Sequence, residues 1–241
     1  MLTNRYLSVF TLGITLILMS WVGRETPAAT INVPADQGTI QAAINAAVSG
    51  QDEVVVSPGT YLEAINFNGK AITLRSASGD PADTIIDGTG NYHVVQCING
   101  EGAGTVLEGF TITGGNAHGS WSDDVGGGMY NSSSSPTVIN CILWGDSPYE
   151  IFNSSSSTST VRYSNLQGGL PANTVDGGGN IDVDPLFVDA DGPDNTAGTG
   201  DDNLRLSGGS PCIDSGSFSD FNSLFDLGGN FRYIDEQTTI N

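Results

Sequence analysis

Apolar residues recur at helical spacing once in this chain. Ile40, Ala43, Ile44, Ala47 and Val48 fall at i, i+3, i+4, i+7 and i+8, one face of an amphipathic helix. Thr39 stands where the helix needs an N-cap, and Gly50 follows where a left-handed C-terminal cap would sit. From Glu53 onward the pattern changes to short β-rich runs, at residues 53–57, 71–75, 84–86, 93–98 and 106–113. Gly, Asn, Asp and Ser separate them, and 33 glycines with 10 prolines in 241 residues keep every run short.

The runs repeat. Residues 106–114, 137–145 and 160–168 align, each carrying an aliphatic second residue, then Phe110, Cys141 or Ser164, then Ile112, Leu143 or Leu166, then Gly114, Gly145 or Gly168. Tyr130-Asn131 followed by four serines matches Phe152-Asn153 followed by four more. The offsets are 31 and 23 residues, and the longer one holds an extra loop at residues 116–128. A fixed period with one short set of strands per copy is the pattern of a stacked array. Stacking at about 4.8 Å in parallel register would line up Leu107, Val138 and Val161 as one internal ladder and Ile112, Leu143 and Leu166 as another. An antiparallel sandwich would instead need hairpin turns and clean alternation, which are missing. The fold expected is all-β, a single-stranded parallel β-helix, with the helix at residues 39–49 covering its first coil. Residues 30–52 would form the N-terminal strand and cap, 53–181 the coils, and 182–241 acidic, Gly- and Asp-rich C-terminal coils and tail.

Residues 39–44 (TIQAAI), 54–61 (VVVSPGTY), 72–74 (ITL) and 84–88 (TIIDG) resemble the opening of pectin-lyase-like β-helix proteins, pectin methylesterases among them. The FTITGGN segment at 110–116, DPLFVD at 184–189 and GSPCIDSG at 209–216 resemble bacterial right-handed β-helix repeat proteins of the exported, surface-associated kind. This resemblance covers most of residues 30–230 and implies a right-handed solenoid outside the cytoplasm. Its superfamily mixes lyases, hydrolases, esterases and proteins without catalysis, so it implies no one activity. Where many such proteins continue into a final Asp-x-Gly-Ala-Tyr-Glu-like strand, this chain reads Tyr233-Ile234-Asp235-Glu236.

The first residues fit export. Arg5 precedes an apolar run at 6–22, and Thr26-Pro27-Ala28-Ala29 supplies small residues for cleavage near Ala29. A membrane anchor is the rival reading of a run this long. Losing Arg5, Arg24 and Glu25 takes the basic residues from 7 to 5 and the acidic from 27 to 26, a net charge of −21. So negative a surface repels nucleic acid and anionic lipid, and suits divalent cations or neutral and cationic glycans. Three cysteines, Cys97, Cys141 and Cys212, leave at least one unpaired; they read as small buried hydrophobes, with a Cys97–Cys141 disulfide open if their coils are adjacent.

Candidate chemistry is sparse. A lyase needs a base to abstract a proton beside a uronate carboxylate, and Lys70, Arg75, Arg162, Arg205 and Arg232 are scattered. A hydrolase needs paired carboxylates; Asp123 and Asp124 in the inserted loop, beside His118, are the weak candidates. Trp121 and Tyr130 are candidate glycan contacts. Asp189, Asp191, Asp194, Asp201 and Asp202 resemble part of a calcium loop, in which Ca²⁺ would be structural, although Gly192 comes early and Gly200 stands where a bidentate Glu belongs. Asn131 and Asn153 fit glycosylation sequons, yet the repeat explains them as corner residues. The expectation is an exported, monomeric, non-catalytic protein for surface adhesion, glycan contact or envelope structure, with a polysaccharide or cell-surface component as partner. The alternative is a pectate-lyase-like or galacturonase-like enzyme acting on acidic glycans.

Overall fold

The computed structural model describes residues 28–90, 93–118, 125–196 and 201–217. The chain enters as β1 (Thr30–Val33) and α1 (Ile40–Ala46), then passes through three parallel sheets in turn. The first circuit is β2 (Glu53–Val56), β3 (Gly59–Leu62) and β4 (Ile65–Asn66); the second is β5 (Thr73–Ser76), β6 (Thr84–Asp87) and β7 (Val95–Cys97). The third is β8 (Val106–Glu108), β9 (Thr111–Thr113) and β10 (Met129–Asn131), and the fourth β11 (Thr137–Ile139), β12 (Ile142–Leu143) and β13 (Ile151–Asn153). β14 (Ser159–Arg162), β15 (Asn165–Leu166) and β16 (Thr174–Asp176) follow. The sheets run β1-β2-β5-β8-β11-β14-β16, β3-β6-β9-β12-β15 and β4-β7-β10-β13. Mainly β, parallel and stacked, with a single helix among the described residues, this is a β-helix-like solenoid.

Like residues stack where the repeat placed them. Leu107, Val138 and Val161 are register partners in the first sheet, continuing a ladder from Val54 and Leu74. Ile112, Leu143 and Leu166 do the same in the second, below Ile86. A third ladder, Ile65, Val95, Met129 and Ile151, closes the core from the third sheet. All are buried, and each stabilises the fold by about 1.5–3 kcal/mol through removal of its side chain from water.

The run at 106–113 is two strands rather than one. At Gly109 the backbone takes φ 76°, turning the chain from the first sheet into the second, and Asn140 and Tyr163 repeat the turn at 51° and 49°. The helix is also shorter than expected. It ends at Ala46 and Val48 is 46% exposed, while Gly50 lies beyond the C-cap Ala47 and donates to the Ala71 carbonyl. Lys70 completes the helix end instead, its Nζ donating to the carbonyls of Ile44, Asn45 and Ala47 at 2.7, 2.7 and 2.8 Å. At the other end the Glu63 carboxylate accepts from the Ile40 and Gln41 amides at 2.8 and 3.0 Å. The helix packs against β1, β2 and β4, and the Gln41 side-chain amide pairs with both backbone groups of Asn66 on the edge strand β4. That satisfies backbone an edge strand would otherwise expose.

Cys97, Cys141 and Cys212 are all free thiols. Cys97 belongs to the third sheet and Cys141 to the turn between the first and second, so the Cys97–Cys141 disulfide is not formed. Asn131 and Asn153 are buried and bonded to each other, Nδ2 to Oδ1 at 2.8 Å, as an internal corner ladder. β17 (Phe187–Asp189) and β18 (Asn203–Leu206) pair antiparallel in a separate two-stranded sheet. The chain then returns along the solenoid, where Cys212 Sγ meets the Asn165 amide at 3.1 Å and Ser217 exchanges hydrogen bonds with Asn140.

Candidate functional site

The inserted loop leaves β9 and re-enters at β10, and its two feet are fixed. On the outgoing side Asn116 bridges Ser147 in parallel, with Ala117 N donating to Ser147 O and Ser147 N to Gly115 O. On the returning side Gly127 O and Gly128 O accept from Val94 and Val95, and Met129 N donates to Glu150 O at 2.7 Å. Backbone approaches here so closely that a Cβ at Gly128 would lie 2.5 Å from Asp146 Oδ2 and 2.6 Å from Glu150 O. Only glycine fits such a contact.

Beside the returning foot stands a row of rings. Tyr130 and Phe152 are register partners on the outward positions of β10 and β13, between buried neighbours, and their rings stack at 6.0 Å and 7°. The buried His93 also stacks on Tyr130 at 4.7 Å and 16°, its Nδ1 held 2.9 Å from Gly126 O. The stacking of β10 on β13 brings Tyr130 and Phe152 together, whereas the β7 register partner of Tyr130 is Gln96 and His93 comes from the approach to that strand. β13 is the last strand of its sheet, so Phe152 has no further in-register neighbour there. Tyr130 was legible in the sequence; Phe152 follows from the same repeat, and His93 from nothing in the linear pattern.

Beneath the loop feet lies a carboxyl pair that the sequence did not single out. Asp146 and Glu150 are buried at 8% and 4% exposure, close enough that each shifts the other. Asp146 Oδ1 accepts from Gly115 N at 2.6 Å, and Glu150 Oε1 from Asp146 N at 3.1 Å. Asp146 Oδ2 and Glu150 Oε2 are buried without a protein donor. Burial raises both well above the usual carboxylate range, and the charge of Asp146 raises Glu150 further. Asp87 is raised as well, by burial and by the charge of Asp202. So little of the pair reaches solvent that it fits a structural post better than a pair of catalytic acids.

The weak catalytic candidates do not converge with it. Asp123, Asp124 and Trp121 lie outside the described residues, and the exposed His118 has Nδ1 2.7 Å from Asn116 O. In the acidic segment, Asp189 ends β17, Asp191 and Asp194 occupy the following turn, and Asp201 and Asp202 precede β18. Asp194 Oδ1 is engaged by the Thr196 amide at 2.8 Å, while the Gly192 turn packs against Asp201. Among the described residues no group of three or more His, Cys, Asp or Glu side chains is arranged to hold a metal ion. Of the basic candidates, Lys70 serves the helix end and Arg75 pairs with Glu53 at 3.0 Å, holding that carboxyl below its ordinary range. Arg162 and Arg205 stand on separate strands, and Arg232 lies outside the described residues. No described helix is long and apolar enough to cross a membrane. No protein-family model, curated protein or solved structure matches the chain at a significant level.

Proposed function

We propose that this chain is an exported, right-handed parallel β-helix, capped at its start by α1, that binds a neutral glycan without turning it over. The observation that carries the reading is the stacked pair Tyr130 and Phe152, half-buried on the third sheet next to a glycine-footed loop and backed by the buried His93. Aromatic rings held this way offer apolar area at low conformational cost, and the Tyr130 hydroxyl adds a polar handle. Charge selects among glycans: 27 acidic residues against 7 basic ones disfavour polyuronates. A lyase base or an accessible pair of carboxyls has no counterpart beside the row among the described residues.

The test incubates residues 30–241 with cellulose, chitin and a soluble β-glucan, and separately with polygalacturonate and alginate, with and without Ca²⁺. Retention on a neutral glycan is expected, weakened about tenfold by Tyr130→Ala or Phe152→Ala, with no new reducing ends or unsaturated products. Product that disappears in Asp123→Asn or Asp124→Asn would make the chain an enzyme. Retention unchanged in both aromatic variants would move the contact elsewhere.

A further inference from the structure

A different face carries a second site. The antiparallel β17–β18 pair lies over the outer side of the second parallel sheet, and a half-open cavity of about 100 Å³ lies between them. Its walls include Trp144 and Thr113 from the solenoid, and Phe187, Ala190 and Leu204 from the hairpin. We propose that this cavity binds a small organic cation of the alkylammonium class.

Three features point there together. The lining is mostly apolar and includes an indole and a phenyl ring, and indole is the best cation acceptor among side chains. Carboxylates adjoin its lining residues along the chain and in register: Asp189 and Asp191 flank Ala190, Asp202 precedes Leu204 by two residues, and the buried Asp87 is the register partner of Thr113. The charge of Asp202 reaches the buried Asp87, so its field extends to that end of the cavity. The basic residue of the hairpin, Arg205, is exposed while its neighbour Leu204 is buried, so strand alternation turns it away.

The same arrangement argues against a hard metal as occupant. Ca²⁺ takes six to eight converging oxygens. Among the described residues no three of these carboxylates converge as such an ion requires, and none lines the cavity itself. A tetraalkylammonium-sized group needs no inner-sphere oxygens; it gains from negative potential and ring faces at short range. The site sits on another sheet from the His93–Tyr130–Phe152 row and stands or falls independently of glycan binding.

Isothermal titration of residues 30–241 with tetramethylammonium chloride, at ionic strength held constant with NaCl, tests this, with putrescine and CaCl₂ as parallel titrants. Saturable tetramethylammonium binding is expected, weakened about tenfold by Trp144→Leu and retained largely by Trp144→Phe. Asp202→Asn should weaken it severalfold at unchanged circular dichroism. Nuclear Overhauser transfer from the ligand methyl protons to the Trp144 indole checks the contact in the unsubstituted protein, should Trp144→Leu disturb the hairpin. Absence of saturation up to about 50 mM overturns the proposal, since anything weaker is indistinguishable from nonspecific ion pairing. So does equal affinity in a folded Trp144→Leu protein, or Asp202-dependent Ca²⁺ binding without tetramethylammonium binding.

Discussion

Asp146 and Glu150 give the solenoid a pH dependence of known sign. In the unfolded chain both carboxyls ionise in the ordinary carboxylate range. Folded, burial and their mutual charge raise both, so above that range the native state holds a proton the unfolded state has released. Stability from this pair is therefore fully present at acid pH and lost as pH climbs through the raised native values. Asp87 adds in the same direction, through burial and the nearby Asp202. Glu150→Gln keeps a neutral hydrogen-bonding side chain at the position. The variant should match the parent near pH 5 and melt about 4–8 °C higher near pH 9, on the order of 2 kcal/mol. Parallel melting curves across that interval would show that the pair titrates alike in both states. The sequence hid this post because Asp146 and Glu150 read locally as an ordinary acidic turn. Their burial comes from Gly115 and Gly128, distant in sequence and brought over them by the inserted loop.

At the scale of elements, what could be read was what repeats. The ladders through Leu107 and Ile112 were visible because each coil supplies the same residue type at a fixed offset, and strand stacking converts offset into contact. The split at Gly109 was less visible, since a glycine inside an apolar run reads equally as a bulge or a bend; Tyr163 makes the same turn with no sequence signal at all. The helix shows the limit of local reasoning most clearly. Thr39 was recognisable as its N-cap and does accept from Ala42 N at 3.1 Å, but the C-terminal partner, Lys70, comes from the next coil. An ammonium on three helix-end carbonyls satisfies acceptors and complements the dipole. Lys70→Met keeps the stem while removing the donors, and should cost about 1–2 kcal/mol in urea unfolding. An unchanged midpoint would mean that water serves the helix end equally well.

Across the whole molecule, charge is the property left without internal compensation. The chain carries a formal charge of −20, and an ion pair such as Arg75 with Glu53 accounts for little of it. Self-repulsion on that scale destabilises the compact state and is screened once the Debye length falls to about 10 Å or less. Raising NaCl from about 20 to about 300 mM should accordingly lift Tm by a few degrees. Calcium separates general screening from a specific site. Asp189, Asp191, Asp194, Asp201 and Asp202 resembled a calcium loop because spacing along the chain was all the sequence offered. Folding places them at the end of β17, in the turn after it and before β18, with Asp201 against the Gly192 turn and Asp194 engaged by its own Thr196 amide. Millimolar CaCl₂ should then raise Tm no further than NaCl at equal ionic strength. An excess of several degrees that Asp191→Asn or Asp201→Asn abolishes would instead show those carboxylates gathering around one ion.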